Sequence, residues 1–218
     1  MQVGSCRVDQ GFLRDQPDQL AEATPTPGGG SAAAYVGALG AALVGMVARL
    51  TVGKKSYASV EAQMNEILKQ AERLRYELTD AVTEDSAAFE AVMAAFKLPN
   101  DTPKQQIQRA AAIESDTLRA AQVPLAVAQK AVTVMALAER CVALGNLHAI
   151  SDAASAASIA HAALISASYN VRANVAGLVD KTAGENYLTQ VHVLEKKAAQ
   201  LEKDIHKFML ERGGLSLT

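Results

Sequence analysis

The fold is decided by Thr24-Pro25-Thr26-Pro27-Gly28-Gly29-Gly30-Ser31 and by the small, apolar residues that follow from Ala32 to Val52. Each proline holds the residue before it in extended backbone, and glycine permits close approaches that a β-carbon forbids. We predict that Ser31 caps a buried helix. The free N–H groups of its first turn, behind a glycine cradle, favour a carboxylate or phosphate ligand, although a simple turn with a cap explains the same residues.

Length and charge narrow the class of protein. The chain has 218 residues, a formal net charge of -2 and no basic block. A chain of this length buries roughly 70% of its unfolded surface, so residues 1–218 are predicted to form one domain that can hold a dry pocket. Nucleic acid is not an expected partner, because phosphate backbones are bound mainly by clustered Lys and Arg. We expect a small molecule or a protein instead.

The predicted location is the cytoplasm, without a membrane span. Cys6 and Cys141 are isolated, which fits a reducing compartment, and the first 15 residues lack the apolar core of a signal peptide. The run from Ala32 to Val52 is nearly long enough to span a bilayer. It consists mostly of Ala and Gly, however, whose transfer into lipid is weakly favourable, so we expect a buried central helix.

Apolar residues spaced by three and four predict helices along the rest of the chain. The expected helices are about Ser59 to Phe96, Pro103 to Ala121 with an interruption near Pro124, Leu125 to Leu144, Asp152 to Ser168 capped by Ser151, and Glu185 to Arg212. The last has a heptad-like stripe and should pair with another helix, within the chain or across a dimer. No stretch alternates like a strand, so the predicted fold is an all-α bundle of long, mostly antiparallel helices.

Three polar residues occupy positions where an apolar residue is expected. Asp85 lies on the apolar stripe between Val82 and Phe89, where an unpartnered carboxylate is costly to ionise and its pKa is open to being raised. Alternatively, Asp85 ends one helix and caps the next. Asn170 and Asn174 lie one turn apart, so their amides require partners from a ligand or from the backbone of a neighbouring helix.

Several common chemistries lack their sequence signals. The four histidines show no metal-ligand spacing, and neither cysteine lies near any of them in sequence. Gly53-Lys54 lacks the earlier glycine of a phosphate-binding loop, and Gly28 to Gly45 lacks a dinucleotide fingerprint. No serine lies in a motif that indicates the sharp turn of an activated nucleophile. We therefore expect no metal and no cofactor.

The remaining motifs, in this order, resemble the cyclodeaminase/cyclohydrolase family of folate enzymes. They are Pro25 to Ser31, Gly37 to Leu43, Gly53-Lys54-Lys55 with Tyr57, Glu84-Asp85 with Ala88-Phe89, Lys97-Leu98-Pro99, Gly145-Asn146-Leu147, Ser151-Asp152, and Asn170-Val171 with Asn174. His148 and Gly184 depart from the family pattern, which has Asn and a bulky aromatic residue there. The resemblance covers nearly the whole chain and implies an all-helical homodimer that acts on a one-carbon derivative of tetrahydrofolate.

The resemblance also implies the site residues. Asp85 falls on the family's catalytic aspartate, and Lys54 is a second catalytic candidate that polarises an oxygen or binds a carboxylate. The expected substrate-binding residues are Pro27, Gly28, Gly29, Gly30, Ser31, Asn146, Asp152, Asn170 and Asn174. Because no formiminotransferase domain is fused to it, the chain is expected to be a methenyltetrahydrofolate cyclohydrolase. The alternatives are a formiminotetrahydrofolate cyclodeaminase and a non-catalytic folate-binding or scaffold protein.

Overall fold

A computed structural model describes residues 10–216, with side chains described from Arg14 onward, and all regular structure in that range is helical. The helices are α1 (Gln10–Ala21), α2 (Gly29–Thr51), α3 (Glu61–Phe96), α4 (Pro103–Leu144), α5 (Ile150–Ala176) and α6 (Lys181–Gly213). Short 3₁₀ turns at Lys55–Val60 and Leu147–Ala149 connect α2 to α3 and α4 to α5. The predicted all-α class is confirmed. Cys6 lies outside the described residues.

Helix α2 packs against α3, α4 and α5 and leaves one outer face exposed, so the predicted burial of this helix is confirmed in part. Its small residues allow close approach: a β-carbon on Gly40 would lie 3.1 Å from the Ala156 carbonyl oxygen, and one on Gly37 would lie 3.5 Å from the Ala163 β-carbon. The predicted crossing of α2 with the Ala/Ser-rich helix α5 is therefore confirmed.

Successive helices from α2 to α6 run antiparallel, which gives the bundle two distinct ends. One end holds Gly29, at the start of α2, and the last turns of α5. We call it the cradle end. At the opposite end, Asn146 donates its backbone N–H to Thr51 Oγ1 at 2.9 Å, and Gly213 lies beside Ile150. At about 1.5 Å per residue, α2 separates the two ends by roughly 33 Å.

Two predicted helix caps are wrong. Helix α2 begins at Gly29 with Gly28 as an extended N-cap, and Ser31 lies inside the first turn with its hydroxyl directed at α3. Helix α5 begins at Ile150, ahead of the predicted cap Ser151. The glycines allow α2 to start three residues early, which leaves the Ser31 side chain available for a contact across the bundle.

Helix α4 is continuous through Pro124, so the predicted interruption there is also wrong. Proline has no N–H to donate to the carbonyl four residues earlier, which here is that of Ala120. The Asn174 side chain supplies the missing donor, with Nδ2 2.8 Å from the Ala120 oxygen. The lost helical hydrogen bond is thereby replaced by one from α5.

Helix α3 is likewise unbroken from Glu61 to Phe96, which overturns the alternative that Asp85 caps a second helix. The predicted start of α4 is confirmed, since Thr102 and Gln105 form a reciprocal capping box. The heptad-like stripe of α6 packs within the chain, because Val191, Ala198 and Ile205 are buried against the core. The predicted pairing of this stripe with other helices of the same chain is therefore confirmed.

By length and composition alone, three stretches of the described chain qualify as membrane spans: Gly29–Thr51, Pro103–Leu144 and Leu147–Ala176. In the first of these, 61% of the most apolar window is buried inside the bundle. Much of the apolar surface of α2 is thus covered by the chain's own helices.

Candidate active site

A cavity of about 220 Å³ opens where α2 begins. The loop before α2 and its first turn contribute much of the wall, and α3, α4 and α5 contribute the rest. The lining residues are Pro25, Thr26, Gly28, Gly29, Gly30, Asp85, Phe89, Ala120, Asn170 and Asn174. Four parts of the sequence that are far apart in the chain therefore meet at this helix end.

Asp85 is held against the first turn of α2 by Ser31. The Ser31 hydroxyl is 2.9 Å from Asp85 Oδ2 and 3.1 Å from the Val82 carbonyl oxygen, and the Ser31 backbone N–H also donates to the Asp85 carboxylate. A β-carbon on Gly30 would lie only 2.2 Å from Asp85 Oδ1. Glycine is therefore required at position 30 to let the carboxylate lie against the helix backbone.

Burial raises the pKa of the Asp85 carboxyl above its ordinary value, and this desolvation outweighs the hydrogen bonds from Ser31, which lower the pKa. Desolvation disfavours the charged form, while the two Ser31 donors favour it. A half-buried carboxyl with a raised pKa is suited to exchanging a proton with a bound molecule.

The two asparagines of α5 face the same cavity and are each anchored through the amide nitrogen. Asn170 Nδ2 donates to the Ser166 carbonyl at 2.9 Å, and Asn174 Nδ2 donates to the Ala120 carbonyl at 2.8 Å. A carbonyl oxygen only accepts hydrogen bonds, so the anchored atom must be the NH₂ group in both cases. The two Oδ1 atoms remain as acceptors for a ligand. The predicted bridge to the backbone of a neighbouring helix is confirmed for Asn174 only, because Ser166 belongs to α5 itself, and contact with a ligand stays a prediction for both residues.

Three predicted site residues lie at the opposite end of the bundle. Asn146 is buried in the turn before α5, where its Nδ2 donates to the Leu50 carbonyl and its Oδ1 accepts from the His148 backbone N–H. Asp152 lies in the first turn of α5, and Lys54 is exposed just beyond the end of α2. A single chain therefore does not bring Lys54, Asn146 or Asp152 to Asp85.

Two further differences between the predicted and the observed positions of residues concern the cavity wall. Pro27 lines a neighbouring groove between α1 and α3 rather than the cavity itself. Phe89, predicted as part of the buried stripe of α3, is 37% exposed and lines the cavity one turn after Asp85. Phe89 follows Asp85 by four residues, which puts both side chains on the same face of α3. This spacing is the feature of the sequence that indicates its place in the cavity wall. His148 and Gly184 lie outside the cavity lining.

The fold and the site define a class: an all-helical domain with a desolvated carboxyl in a pocket at the end of a glycine-rich helix. The sequence profile of the family described as formiminotransferase-cyclodeaminase matches residues 13–193. The chain belongs to this family, and the resemblance inferred from the sequence motifs is confirmed.

Two named relatives and one solved structure show the extent of this similarity. The chain is 44% identical to a methenyltetrahydrofolate cyclohydrolase of Methylorubrum extorquens, over 87% of this chain and 91% of that protein. It is 33% identical to the formimidoyltransferase-cyclodeaminase of Sus scrofa, over 77% of this chain but 31% of that protein. A crystal structure of formiminotetrahydrofolate cyclodeaminase from Thermotoga maritima matches with a TM-score of 0.82 and 30% identity, over 94% of this chain and 97% of that one.

Proposed function

We propose that this protein is a methenyltetrahydrofolate cyclohydrolase, which hydrolyses 5,10-methenyltetrahydrofolate to 10-formyltetrahydrofolate. The observation that carries the proposal is the 44% identity to the Methylorubrum extorquens enzyme of that name, over nearly the full length of both chains. The animal relatives are more distant, and the chain spans only about a third of the one from Sus scrofa, at 31% of its length. The desolvated carboxyl of Asp85 fits the chemistry that this reaction needs.

Asp85 has a defined role in the proposed reaction. The substrate is a cyclic amidinium cation, and its reactive carbon bridges two nitrogens. The Asp85 carboxylate takes a proton from water as the water oxygen bonds to that carbon, and it stabilises the adjacent positive charge. It then returns the proton to N5 as the C–N5 bond breaks, and the hydroxyl proton is released to solvent. The balance is one water consumed and one proton released.

The runner-up is formiminotetrahydrofolate cyclodeaminase, which the similarity to the Thermotoga maritima structure favours. In that reaction the ring closes and ammonia leaves, so the same carboxyl would serve a different leaving nitrogen. The two substrates are therefore assayed side by side. Loss of the methenyltetrahydrofolate absorbance without ammonia release from the 5-formimino compound supports the proposal, and the reverse result supports the runner-up. Turnover of neither substrate would leave a non-catalytic folate-binding or scaffold protein.

Removal of the Ser31 hydroxyl should change the pH dependence of the reaction. The base form of Asp85 is required, so kcat/KM falls as pH decreases through the Asp85 pKa. The Ser31 side-chain hydrogen bond lowers that pKa, and Ser31→Ala should therefore move the acid limb to higher pH. Ser86→Ala is the control, because Ser86 Oγ lies 3.3 Å from Ser31 Oγ without a hydrogen bond to Asp85. An acid limb that stays in place or moves to lower pH contradicts this assignment.

We propose further that the protein acts as a homodimer through the outer face of α2. This face carries Leu39, Leu43, Met46 and Leu50 at spacings of four, three and four, and Leu39 and Leu50 are 45% and 44% exposed. We call these four residues the α2 outer stripe. Asp85 lies beside Gly30 near the start of α2, and Lys54 lies just beyond the end of α2. An antiparallel second copy would bring Lys54 of the partner subunit to the cradle end, which reconciles Lys54 with the predicted site.

The dimer proposal is tested by mass in solution and by mixing variants. Asp85→Asn and Lys54→Ala subunits should each be impaired alone, but a mixture refolded together should regain activity, because one site of each mixed dimer is intact. Asn146 and Asp152 would reach the site by the same route. A monomer at micromolar concentration, or a mixture without regained activity, argues against the shared site.

We propose that the enzyme works in the cytoplasm with no cofactor or metal, and that neither nucleic acid nor a membrane is a partner. Within residues 10–216, no three His, Cys, Asp or Glu side chains cluster closely enough to bind a metal ion. Cys141 is buried, and burial raises the pKa of its thiol to about 12, which suits an unreactive cysteine.

A further inference from the structure

The cavity is too small to enclose the whole proposed substrate. Pockets that bury a drug-sized ligand measure about 300–1,000 Å³, whereas this cavity measures about 220 Å³. A reduced folate consists of a pterin ring, an aminobenzoyl ring and one or more glutamates. One end must therefore enter while the other remains outside, and the chemistry of the wall decides which.

The wall that one chain contributes accepts hydrogen bonds and carries no cation of its own, and the one cation proposed at this site is Lys54 of the partner subunit. Among the described residues that line the cavity there is no Lys or Arg, and Asp85 contributes a carboxylate. Asn170 and Asn174 each present an Oδ1 acceptor. The pterin ring has an exocyclic amino group and ring N–H donors that match such acceptors. A glutamate carboxylate only accepts hydrogen bonds and would be repelled by Asp85.

The acceptor character of Asn174 is fixed by a neighbouring helix. Because Pro124 has no N–H, the Ala120 carbonyl lacks its helical partner and binds Asn174 Nδ2 instead. Rotation of the amide by half a turn would place two oxygens against each other, so Oδ1 stays directed away from Ala120. The pocket thus presents an acceptor, rather than a donor, at this position.

The other half of the substrate has an apolar path outward. The reacting carbon joins N5 of the pterin to N10, and N10 is bonded directly to the aminobenzoyl ring. With that carbon at Asp85, the ring must lie within a few ångströms along the wall. Phe89 lies one turn, or about 6 Å, further along α3, and it is followed by Met93, which is 41% exposed.

We infer that the substrate enters by its pterin ring, which Asn170 and Asn174 recognise, and that its aminobenzoyl ring packs on Phe89 while the glutamate tail points out of the cavity. This inference rests on the proposed function. Phe89 is then a specificity residue for the aminobenzoyl half, and the length of the tail is not limited by the cavity.

The first test compares 5,10-methenyltetrahydrofolate that carries one glutamate with the same compound that carries three. With the tail outside, the KM values should agree within about threefold. If the triglutamate is not turned over, or its KM is about tenfold higher or more, the orientation is overturned. Absence of turnover for both compounds overturns the proposed function itself, which separates the two failures.

The second test addresses Phe89 through the split between KM and kcat. Loss of aromatic packing in Phe89→Ala should raise KM about tenfold with little change in kcat, and Phe89→Tyr should restore KM. Phe89 is already 37% exposed, so the variant should fold. Ile107→Ala is the control, because Ile107 is 71% exposed and outside the cavity lining. An unchanged KM in Phe89→Ala overturns the role of Phe89.

Discussion

Asp85→Asn should lower kcat by about 10²- to 10⁴-fold, because it removes the group that takes a proton from water and returns one to N5. Asparagine keeps the shape of the side chain and an oxygen that can accept the Ser31 hydroxyl bond. Substrate should therefore still bind, and the loss should appear in kcat rather than in KM. Steady-state kinetics on methenyltetrahydrofolate measures both.

The stability of the same variant supplies an independent check. The folded-state pKa of Asp85 is raised, so the folded protein holds this proton more tightly than the unfolded chain does, and stability falls as pH rises through that pKa. Asparagine does not ionise, so the Asp85→Asn variant does not lose stability in this way as the pH rises. Its Tm should exceed that of the wild type at pH 8, and the difference should narrow as the pH is lowered.

Asp80→Asn is the matched control for both measurements, since Asp80 is an exposed carboxylate on the same helix. It should behave like the wild type in rate and in Tm. If Asp85→Asn retained more than about a tenth of the wild-type kcat, general acid–base catalysis by Asp85 would be excluded.

Gly30→Ala should lower kcat/KM by about a hundredfold, because displacement of a catalytic group by about 1 Å is enough for such a loss. The added methyl group would lie 2.2 Å from Asp85 Oδ1 and 2.6 Å from Asp85 Cγ, closer than real contacts allow. The carboxylate is tied to Ser31 and has little room to yield. Either Asp85 or the first turn of α2 must therefore move.

Gly45→Ala on the same helix is the control for this prediction. Its β-carbon would meet Glu72 Oε1 at 3.2 Å and Arg49 Nη1 at 3.3 Å, which are the ends of flexible side chains. Kinetics like those of the wild type are expected. A Gly30→Ala enzyme with wild-type kcat/KM would show that close contact between Asp85 and α2 is not needed.

The sequence predicted the helical class and the close packing of α2 through its small residues because both depend on short-range periodicity and residue size. It also singled out Asp85, Asn170 and Asn174, since polar residues on apolar faces stand out in a periodic pattern. Their meeting at one cavity is a property of the packed bundle. Lys54 was a site residue by prediction only, and the single chain separates Lys54 from Asp85 by nearly the length of α2.

The errors arise where the packed bundle changes what the neighbouring residues in the sequence predict. Pro124 predicts a helix break from its own chemistry, and the donor that compensates for it, Asn174, comes from a residue far along the chain. Ser31 has the composition of a cap, but the preceding glycines move the helix start and free its hydroxyl for Asp85. Phe89 belongs to an apolar stripe whose burial ends at the cavity. At Pro124 and Ser31, a long-range contact overrides a correct local preference.

Pro124 has a consequence for attempts to make this protein more heat-resistant. Replacement of a helix-interior proline by alanine is an obvious stabilising substitution, because it restores a backbone hydrogen bond and favourable helix propensity. Here the restored N–H would compete with Asn174 for the Ala120 carbonyl. A substitution of Pro124 that raises thermal stability would therefore also disturb Asn174, on which the proposed ligand binding depends.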